Sequence, residues 1–406
     1  MLLGLLLETL SAPERNNLSV VSLFSACFLN CEEREPVKVG LVLNMANNQW
    51  LIAKSLRRAG IEADLIISSR DFGMSFPHWE EAEISGVDPY TTKIQDLSKY
   101  YTLPAWVKIW DPSDLHISPQ NVIDLLFMVK QYELLQLSVP SVIYLQFIGK
   151  KFIVHEAGWL RRFPYLDGAA EKLARRGYSK AECVVMTNAD CYHHLSKIRY
   201  RRQVFIPFVI DTDRYRPIEQ RRKDDALTFF HPTRHVWNVK GNQRLLYAFA
   251  KFIEKGYKAR LVMMDWGTLE DTQLSKELVE RLGIESHVHW LGPVSKPTLI
   301  QLYNSSDAVF DQFLLGCYGT TAPEALACGR PVVMRLDRNC NEECYGEFPP
   351  ILNVETVDEV LEAMIALTDP NLRSKYGEAG RRYVIEHHSP DKVANQYIAL
   401  YREVLG

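Results

Sequence analysis

The sequence predicts an α/β protein of two domains, each built on a doubly wound parallel sheet. The chain has 406 residues, which is more than one hydrophobic core usually serves. Near-continuous apolar runs such as VKVGLVLN, which starts at Val37, indicate strands that are covered on both faces. Helical patterns alternate with these strands, and five strand–helix units follow one another in the second half. This alternation is typical of parallel sheets with right-handed crossovers.

In the first half, short apolar strands alternate with amphipathic helices. The strands after Val37 are predicted at Ala63–Ser68, Trp106–Trp110, Phe152–His155, Cys183–Thr187 and Val204–Pro207, and the helices around Asn48–Ala59, Asn121–Leu135, Gly168–Arg176 and Asp190–Lys197. Between the second and third strands, Asp71 to Asp96 is a long stretch rich in aromatic and acidic residues. We interpret it as a functional loop region, because a simple connection would be shorter.

The second half continues the same alternation more regularly. Its strands are predicted at Leu227–Phe230, Arg260–Trp266, His287–Leu291, Ala308–Asp311 and Pro331–Leu336, and its helices at Gln243–Lys255, Thr272–Leu282, Lys296–Ser305, from near Thr321, and at Thr356–Thr368. Pro207 and Pro217 bracket a segment that we interpret as the domain boundary. The predicted parts are therefore an extension (1–36), a first domain (37–217), a second domain (218–388) and a C-terminal helix (389–406) that crosses back to the first domain.

Charge and composition exclude several classes of protein. Hydrophobic residues make up 47% of the chain, charged residues 24%, and the formal net charge is -3, which indicates a globular protein with no overall attraction to nucleic acid. Between Lys150 and Arg202, however, twelve basic residues face five acidic ones. This basic stretch predicts either contact with an anionic membrane or a set of solvated helix faces.

The cysteines and the first 36 residues carry weaker signals. Eight cysteines in a chain of this length are not a disulfide framework, and Cys27/Cys31 and Cys340/Cys344 lack histidines close by in the sequence. We expect reduced thiols in a cytoplasmic protein, with a metal site as the alternative. The apolar runs in residues 1–36 are shorter than the roughly 18 residues that span a bilayer. We expect an extension outside the fold, with a cleaved or anchoring segment as the alternative.

A pair of basic residues follows the first strand of the second half. Arg234 and Lys240 lie in HPTRHVWNVKG, at the carboxyl end of a predicted parallel strand. Ligands of such sheets bind at that edge, and cations there suit phosphate. The alternative is a loop with two solvated cations.

A second motif is LLGCYGTTAPEALACGRPVV, residues 314–333. Gly316 and Gly319 permit close backbone approach to a ligand, while Thr321 and Pro323 open a helix whose N-terminus favours anions. Glu324 has two interpretations. It completes a capping box with Thr321, or its carboxylate binds the hydroxyl groups of a ribose.

In combination these motifs resemble the retaining GT-B glycosyltransferases of family 4, also called glycosyltransferase group 1. The resemblance rests on Arg-x5-Lys-Gly, the glycine loop with a helix-opening glutamate, A-x-G-x-P-V-V, and IPFVIDTDRYRP, which is similar to the family's interdomain segment. It extends in order over roughly Val37 to Leu405. It implies two facing Rossmann-like domains, with residues 37–217 holding an acceptor and 218–388 a nucleotide-sugar donor.

The resemblance also implies roles for individual residues. Arg234 and Lys240 would neutralise the donor diphosphate as it leaves, and Glu324 would bind its ribose. His155, in VHEAGW, would reach the transferred sugar. The remaining donor-site positions are Trp266, Gly316, Tyr318, Gly319, Thr320 and Thr321, with backbone amides of Tyr318 to Thr321 approaching sugar and phosphate.

The sequence departs from the family pattern at two places. Gly316 stands where the motif E-x7-E has its first glutamate, so the carboxylate that contacts the sugar is missing, and Asp311 compensates only if its strand end points inward. The glycine-rich turn after the first strand is also absent. We expect Asn47 and Asn48 to contact acceptor or phosphate there through their side-chain amides.

The predicted function is retaining transfer of a sugar from a nucleoside-diphosphate sugar to a glycan, lipid or small-molecule acceptor. The alternative is an altered GT-B protein that binds a nucleotide or glycan without efficient transfer. No cofactor and no metal are expected, because the D-x-D of Asp211 and Asp213 falls in the interdomain segment. The expected location is the cytoplasm, with peripheral membrane contact through the basic stretch as an open alternative.

Overall fold

The computed structural model describes residues 37–112, 119–219 and 225–406, and these form two parallel sheets. The first sheet contains β1 (Lys38–Val42), β2 (Glu62–Ser68), β3 (Val107–Trp110), β4 (Leu134–Ser138), β5 (Lys151–Glu156), β6 (Cys183–Met186) and β7 (Gln203–Phe205). The second contains β8 (Leu227–His231), β9 (Ala259–Met264), β10 (Val288–Leu291), β11 (Ala308–Phe310), β12 (Val332–Met334) and β13 (Leu352–Asn353). The predicted α/β class with two parallel sheets is confirmed.

Helices connect the strands of both sheets. In the first half they are α1 (Asn48–Arg58), α2 (Pro77–Glu81), α3 (Ile94–Leu97), α4 (Pro119–Val129), α5 (Ser141–Leu145), α6 (Ala169–Lys180) and α7 (Tyr192–Leu195). In the second half they are α8 (Trp237–Lys240), α9 (Asn242–Glu254), α10 (Leu269–Arg281), α11 (Lys296–Ser305), α12 (Thr321–Ala327), α13 (Arg338–Tyr345), α14 (Val357–Ala366), α15 (Pro370–His388) and α16 (Pro390–Leu405). Among the described residues no helix is both long and apolar enough to cross a membrane. The predicted extension, residues 1–36 with Cys27 and Cys31, lies outside the described residues.

The order of the strands decides where a ligand can bind. The first sheet has the order β3-β2-β1-β4-β5-β6-β7, and the second β10-β9-β8-β11-β12-β13. The direction of strand addition therefore reverses between β1 and β4 in one sheet and between β8 and β11 in the other. Crevices form at the carboxyl ends of such neighbouring strands. The loops that follow β1, β8 and β11 thus lie at the two switch points.

The sequence pattern predicts a helix around Asn121–Leu135, but the structure has a helix and the start of a strand there. Helix α4 ends at Val129, and Leu134–Ser138 form β4, a strand whose five residues are all buried. It pairs in parallel with β1 on one side and β5 on the other. A short apolar run fits a buried strand and a buried helix equally well by periodicity, so only pairing with its two neighbours decides between them.

The C-terminal helix crosses back to the first domain, as predicted. The hydroxyl of Tyr401 in α16 donates to Gln136 Oε1 of β4 (2.6 Å), and Lys151 Nζ donates to the carbonyl of Val404 (2.8 Å). The sequence pattern missed the preceding helix, α15, which packs against α12. Both contacts of α16 are made inside the first domain, so this domain is completed by the end of the chain.

The two connections between the domains meet at one place. The amide of Ile210, in the first connection, donates to the carbonyl of His388 (2.9 Å), where the second connection begins. His388 Nδ1 lies 2.9 Å from the carbonyl oxygen of Phe208. Arg381 donates to the carbonyl oxygens of Tyr215 (3.0 Å) and Ala327 (2.6 Å). The interdomain segment is therefore bonded to the end of α15.

Candidate functional site

A cleft of about 180 Å³ opens where loops of the two domains face each other. The first domain lines it with Ala46, Asn47, Met74 and Trp79, and the second with Pro232, Met264, Trp266, Pro293, Val294, Lys296, Leu299, Thr320 and Thr321. Most of these side chains are apolar, and the polar ones are few. This composition is typical of a small-molecule site, in which a few polar groups fix the orientation of the ligand.

The loop after β8 is held by three buried polar side chains. Asn242 accepts a hydrogen bond from the amide of Val236 (3.1 Å), and its Nδ2 lies 2.9 Å from His231 Nε2. His235 lies within hydrogen-bond distance of Ser275 Oγ (2.8 Å). Burial lowers the pKa of His231 to about 3 and that of His235 to about 4. Both imidazoles are therefore neutral at physiological pH, and they hold the loop without adding charge.

This loop carries the two predicted cations to the switch point. Lys240 ends α8, and its Nζ donates to Gln312 Oε1 (3.2 Å) in the loop after β11. Arg234 lies on the exposed side of the same loop. Asp311, next to Gln312, accepts a hydrogen bond from Thr233 Oγ1 (2.6 Å). The carboxyl of Asp311 is buried and therefore lies inward; burial raises its pKa, and the charge of Lys240 lowers it.

The backbone around Gly316 explains why no glutamate stands there. Gly316 has φ +75, in the left-handed region that disfavours a residue with a Cβ. A Cβ at this position would lie 2.6 Å from Arg335 Nη1. That guanidinium also donates to the carbonyl of Leu314 (2.9 Å), which holds it in place. A glutamate side chain here would have to displace Arg335 and strain the backbone.

The rest of this loop presents small or polar groups to the cleft. Tyr318 is buried, and its hydroxyl lies 3.3 Å from His388 Nε2 and 3.4 Å from the hydroxyl of Tyr383. Its side chain therefore points into the core. Gly319 is exposed, while Thr320 and Thr321 line the cleft.

The capping-box interpretation of Glu324 is wrong. The N-cap of α12 is Thr320, and its side chain makes no capping hydrogen bond. The buried carboxylate of Glu324 instead accepts hydrogen bonds from Lys296 Nζ and from the hydroxyl of Tyr303 (3.1 Å), both in α11. An ammonium group is a stronger partner for a carboxylate than a backbone amide, so the tertiary contact wins. Glu324 is thus buried behind Lys296, which itself lines the cleft.

The long stretch 71–96 of the first domain reaches the second domain. We call it the strap. It contains α2 and the start of α3, so it is less irregular than predicted. Within it, the amide of Ile84 donates to Ser295 Oγ (2.9 Å), just before α11. The strap also brings Met74 and Trp79 into the cleft wall. Sequence reasoning missed this contact, for which the aromatic and acidic character of the stretch was the only signal.

One carboxyl group of the strap is completely enclosed. Glu80 Oε1 accepts a hydrogen bond from the hydroxyl of Tyr215 (3.4 Å) and lies 3.6 Å from Arg214 Nη1, both in the interdomain segment. Burial raises the pKa of Glu80 to about 7, while the charge of Lys296 lowers it and that of Glu324 raises it. Strap, interdomain segment and cleft wall are therefore electrostatically coupled.

The turn after β1 takes a conformation that usually requires glycine. Leu43, Ala46 and Asn47 all have positive φ, at 65, 47 and 58. Asn47 accepts from Asn44 Nδ2 (2.9 Å) and donates to the carbonyl of Met74 (3.0 Å). Asn48 Nδ2 donates to Met45 O (3.2 Å). The amides that the sequence assigned to acceptor or phosphate thus hold the turn and the strap, although Asn47 still lines the cleft.

Two further predicted residues have defined surroundings. His155 lies at the carboxyl end of β5, where its Nδ1 is 3.1 Å from the hydroxyl of Tyr397 and its buried Nε2 has no hydrogen-bond partner among the described residues. Burial lowers its pKa to about 4, so the ring is neutral. Trp266 donates from Nε1 to the carbonyl of Pro232 (3.1 Å) and forms one wall of the cleft.

Residues 211–383 match the family described as glycosyl transferases group 1. The MMP α-(1→4)-mannosyltransferase of Mycolicibacterium hassiacum is 27% identical over 205 residues, which are 50% of this chain and 48% of that protein. The N-acetyl-α-D-glucosaminyl L-malate synthase of Bacillus anthracis is 29% identical over 176 residues, 42% of this chain and 45% of that one. The chain spans about half the length of the curated relatives it matches.

Solved structures extend the likeness to both domains. Sucrose-phosphate synthase from Thermosynechococcus elongatus has a TM-score of 0.64 at 13% identity, covering 91% of this chain and 99% of that one. Anabaena Alr3699/HepE in complex with UDP-glucose has a TM-score of 0.67 at 14% identity, covering 90% and 99%. At such identities the likeness shows the fold alone. Residues 211–383 therefore belong to the glycosyl transferases group 1 family, and the chain that carries them has the GT-B fold.

Proposed function

We propose that this protein is a retaining glycosyltransferase that transfers a sugar from a nucleoside-diphosphate sugar to an acceptor held by the first domain. The observation that carries the proposal is that Lys240 and Glu324 follow the two neighbouring strands at the switch point of the second sheet. Lys240 lies after β8 and Glu324 after β11, at the switch point of that sheet. A cation for the diphosphate and a carboxylate for the ribose are thereby provided on the same side.

The chemistry assigned to Lys240 and Arg234 is charge stabilisation. When the bond between the sugar and the diphosphate breaks, negative charge grows on the leaving phosphate. Lys240 is held by Gln312, and Arg234 is exposed on the same loop. Preorganised cations placed where negative charge develops lower the barrier without needing a metal ion. We therefore propose transfer without a metal cofactor.

The ribose and base are assigned to the wall formed by Glu324 and its neighbours. Glu324 now bonds to Lys296 and Tyr303, so a ribose must share or replace the bond from Lys296. The apolar side chains of Trp266 and Trp79 lie on opposite domains of the same cleft. We propose that the base lies between these walls, since a planar base gains most from flat apolar surfaces.

The transferred sugar is assigned to the space between His155 and the loop at Gly316. The unpartnered Nε2 of His155 supplies one hydrogen-bonding atom. The carboxylate that the family places at Gly316 is absent, and Asp311 is already bonded to Thr233. We infer a looser hold on the sugar than on the nucleotide. Retention of the anomeric configuration follows from the family resemblance, and proton NMR of the product sugar tests it.

The acceptor is proposed as a glycan, lipid or small molecule bound by the first domain. Several cations of the basic stretch already have partners within the protein: Lys150, Lys151, Arg161, Arg201 and Arg202. Of these, Arg161, Arg201 and Arg202 pair with carboxylates, so fewer unpaired cations remain for an anionic membrane than the twelve counted in the sequence. Sedimentation with anionic vesicles at low salt tests this contact, and absence of sedimentation excludes it.

The deciding experiment is incubation with a panel of nucleotide sugars. Anabaena Alr3699/HepE is known in complex with UDP and with UDP-glucose, and one relative is a mannosyltransferase. The panel should therefore include UDP-glucose, UDP-N-acetylglucosamine and GDP-mannose. Release of nucleoside diphosphate from one of them, faster than without protein, supports the enzyme. Release from none, with and without added acceptors, contradicts it.

A binding protein without transfer is the second candidate, and Gly316 favours it. With left-handed backbone and Arg335 beside it, the loop offers no carboxylate to the sugar. This candidate predicts that a nucleoside diphosphate and its sugar conjugate bind equally well and that neither is consumed. Calorimetric titration of both ligands, combined with the panel above, separates the two functions.

A further inference from the structure

A second contact between the domains lies at the start of α13. Three side chains with metal-binding atoms come together there: His193 from α7 of the first domain, and Asp337 and Cys340 of the second. Their ligand atoms all lie within 4.8 Å of one another. Cys340 Sγ is 2.7 Å from His193 Nε2. None of the three lines the cleft described above.

The local fold brings Asp337 and Cys340 together. Asp337 is the N-cap of α13, and its Oδ1 accepts a hydrogen bond from the amide of Cys340 (3.0 Å). The amide of Asp337 in turn donates to the carbonyl of Gly316 (2.8 Å). The pair is therefore bonded to the loop of the candidate donor site. His193 is 147 residues away from Cys340 in the chain, so the sequence alone does not reveal the group.

The three ligand types suit a borderline-soft divalent ion. Zinc binds thiolate, imidazole and carboxylate, and sites with three protein ligands keep a fourth position for water. Cys340 is buried, while His193 is exposed, so an ion has a path from solvent. With Zn–S near 2.3 Å and Zn–N near 2.0–2.1 Å, tetrahedral ligands lie roughly 3.5 Å apart. The 2.7 Å between Cys340 Sγ and His193 Nε2 must therefore lengthen when the ion binds, and rotation of the exposed His193 side chain allows this.

We propose that His193, Asp337 and Cys340 form a zinc site that clamps the first domain to the loop carrying Gly316. The inference does not depend on the proposed transfer reaction, because the ion would hold the domains together without touching the donor. The competing explanation is a hydrogen bond between thiol and imidazole with no affinity for metal.

The test uses Co²⁺ as a spectroscopic substitute for Zn²⁺. The full chain, treated with EDTA and with Cys27 and Cys31 changed to serine, is titrated with Co²⁺ and followed by absorbance. We expect one equivalent to produce a near-ultraviolet charge-transfer band from the thiolate, with visible bands of tetrahedral intensity. Added Zn²⁺ should abolish both sets of bands, because it binds such ligands more tightly than Co²⁺.

Substitutions of single residues identify the side chains that bind the ion. Cys340→Ser should abolish the charge-transfer band, and His193→Ala should weaken Co²⁺ binding at least tenfold. Because Cys340 is buried, the exposed His193 provides the variant that keeps the fold intact. Cys344→Ser, one turn further along α13, is the matched control and should bind as before. His387→Ala controls for the exposed group of Glu347, Glu386 and His387.

The outcomes are decisive in both directions. A stoichiometric band that needs His193 and Cys340 but not Cys344 or His387 supports the zinc site. Absence of the band, or a band that persists in Cys340→Ser and His193→Ala, overturns it. Bound zinc should also raise the thermal midpoint of the parent protein but not of His193→Ala, since a ligand stabilises only the state that it binds.

Discussion

The loops of the second domain and those of the first meet in the same cleft but are built differently. In the second domain, Lys240 bonds to Gln312 and Glu324 bonds to Lys296, and Lys296 lines the cleft. In the first domain, polar groups of the turn and strap, such as Asn47 and Glu80, form hydrogen bonds to other parts of the protein. The comparison teaches that charged residues near strand ends can be recognised in a sequence, whereas contacts between the domains cannot.

The first test concerns the second-domain loops and carries the largest expected effect. Lys240→Met should lower turnover by about 100-fold to 1,000-fold, because a preorganised charge at the leaving group is lost. The rate of nucleoside-diphosphate release measures it. Lys251→Met, which removes an exposed lysine paired with Asp358, is the matched control and should retain activity. Equal activity of the two variants would contradict the assigned role of Lys240.

The second test concerns the strap. The pKa of Glu80 is raised by burial to about 7, so this group stabilises the fold at low pH and loses that contribution as pH rises from about 4.5 to about 7. Glu80→Gln, which stays neutral, should remove this part of the pH dependence, on the order of 3 kcal/mol. Thermal midpoints across that pH range measure it.

The control for the strap is Glu83→Gln. Glu83 lies in the same segment but is exposed, and its carboxylate accepts from Gln301 (3.2 Å). The pH dependence of this variant should match that of the parent. If Glu80→Gln shows the same slope as both, the coupling of the strap to the rest of the cleft is wrong.

The third test concerns ligand binding at Glu324. Glu324→Gln should weaken binding of a nucleoside diphosphate about tenfold, or about 1.4 kcal/mol, because a neutral amide holds a ribose diol less strongly than a carboxylate. Calorimetry measures it. Glu277→Gln replaces an exposed glutamate on α10 and should bind as the parent does. Unchanged affinity in Glu324→Gln would remove the ribose role.

The test with the smallest expected effect compares substitutions at two glycines of one loop. Gly316→Ala should cost about 1–2 kcal/mol, because its left-handed φ disfavours a Cβ and Arg335 lies 2.6 Å from that position. Gly319→Ala meets no atom within 4 Å and should be nearly neutral. Thermal midpoints of the two variants, measured side by side, decide whether Gly316 is required by the backbone.

Prediction from sequence succeeded where a pattern recurs along a whole element. The parallel strands and the C-terminal helix that returns to the first domain follow from apolar runs and amphipathic spacing. Prediction failed where one local pattern fits two different structures equally well. Leu134–Ser138 has a helical as well as a strand interpretation, and pairing with β1 and β5 decided for the strand. The capping box at Glu324 lost to Lys296, 28 residues away, for the same reason.

By itself, the sequence determined the fold class, the family motifs of residues 211–383 and the positions of Arg234 and Lys240 after a strand. Only the tertiary structure decided that the strap forms part of the cleft, that Glu80 is enclosed beside Arg214, and that His193 meets Cys340. The physical reason is the separation along the chain between the residues that interact. Periodicity and caps depend on neighbours within a few residues, whereas these contacts join segments more than a hundred residues apart, and each depends on how both domains pack.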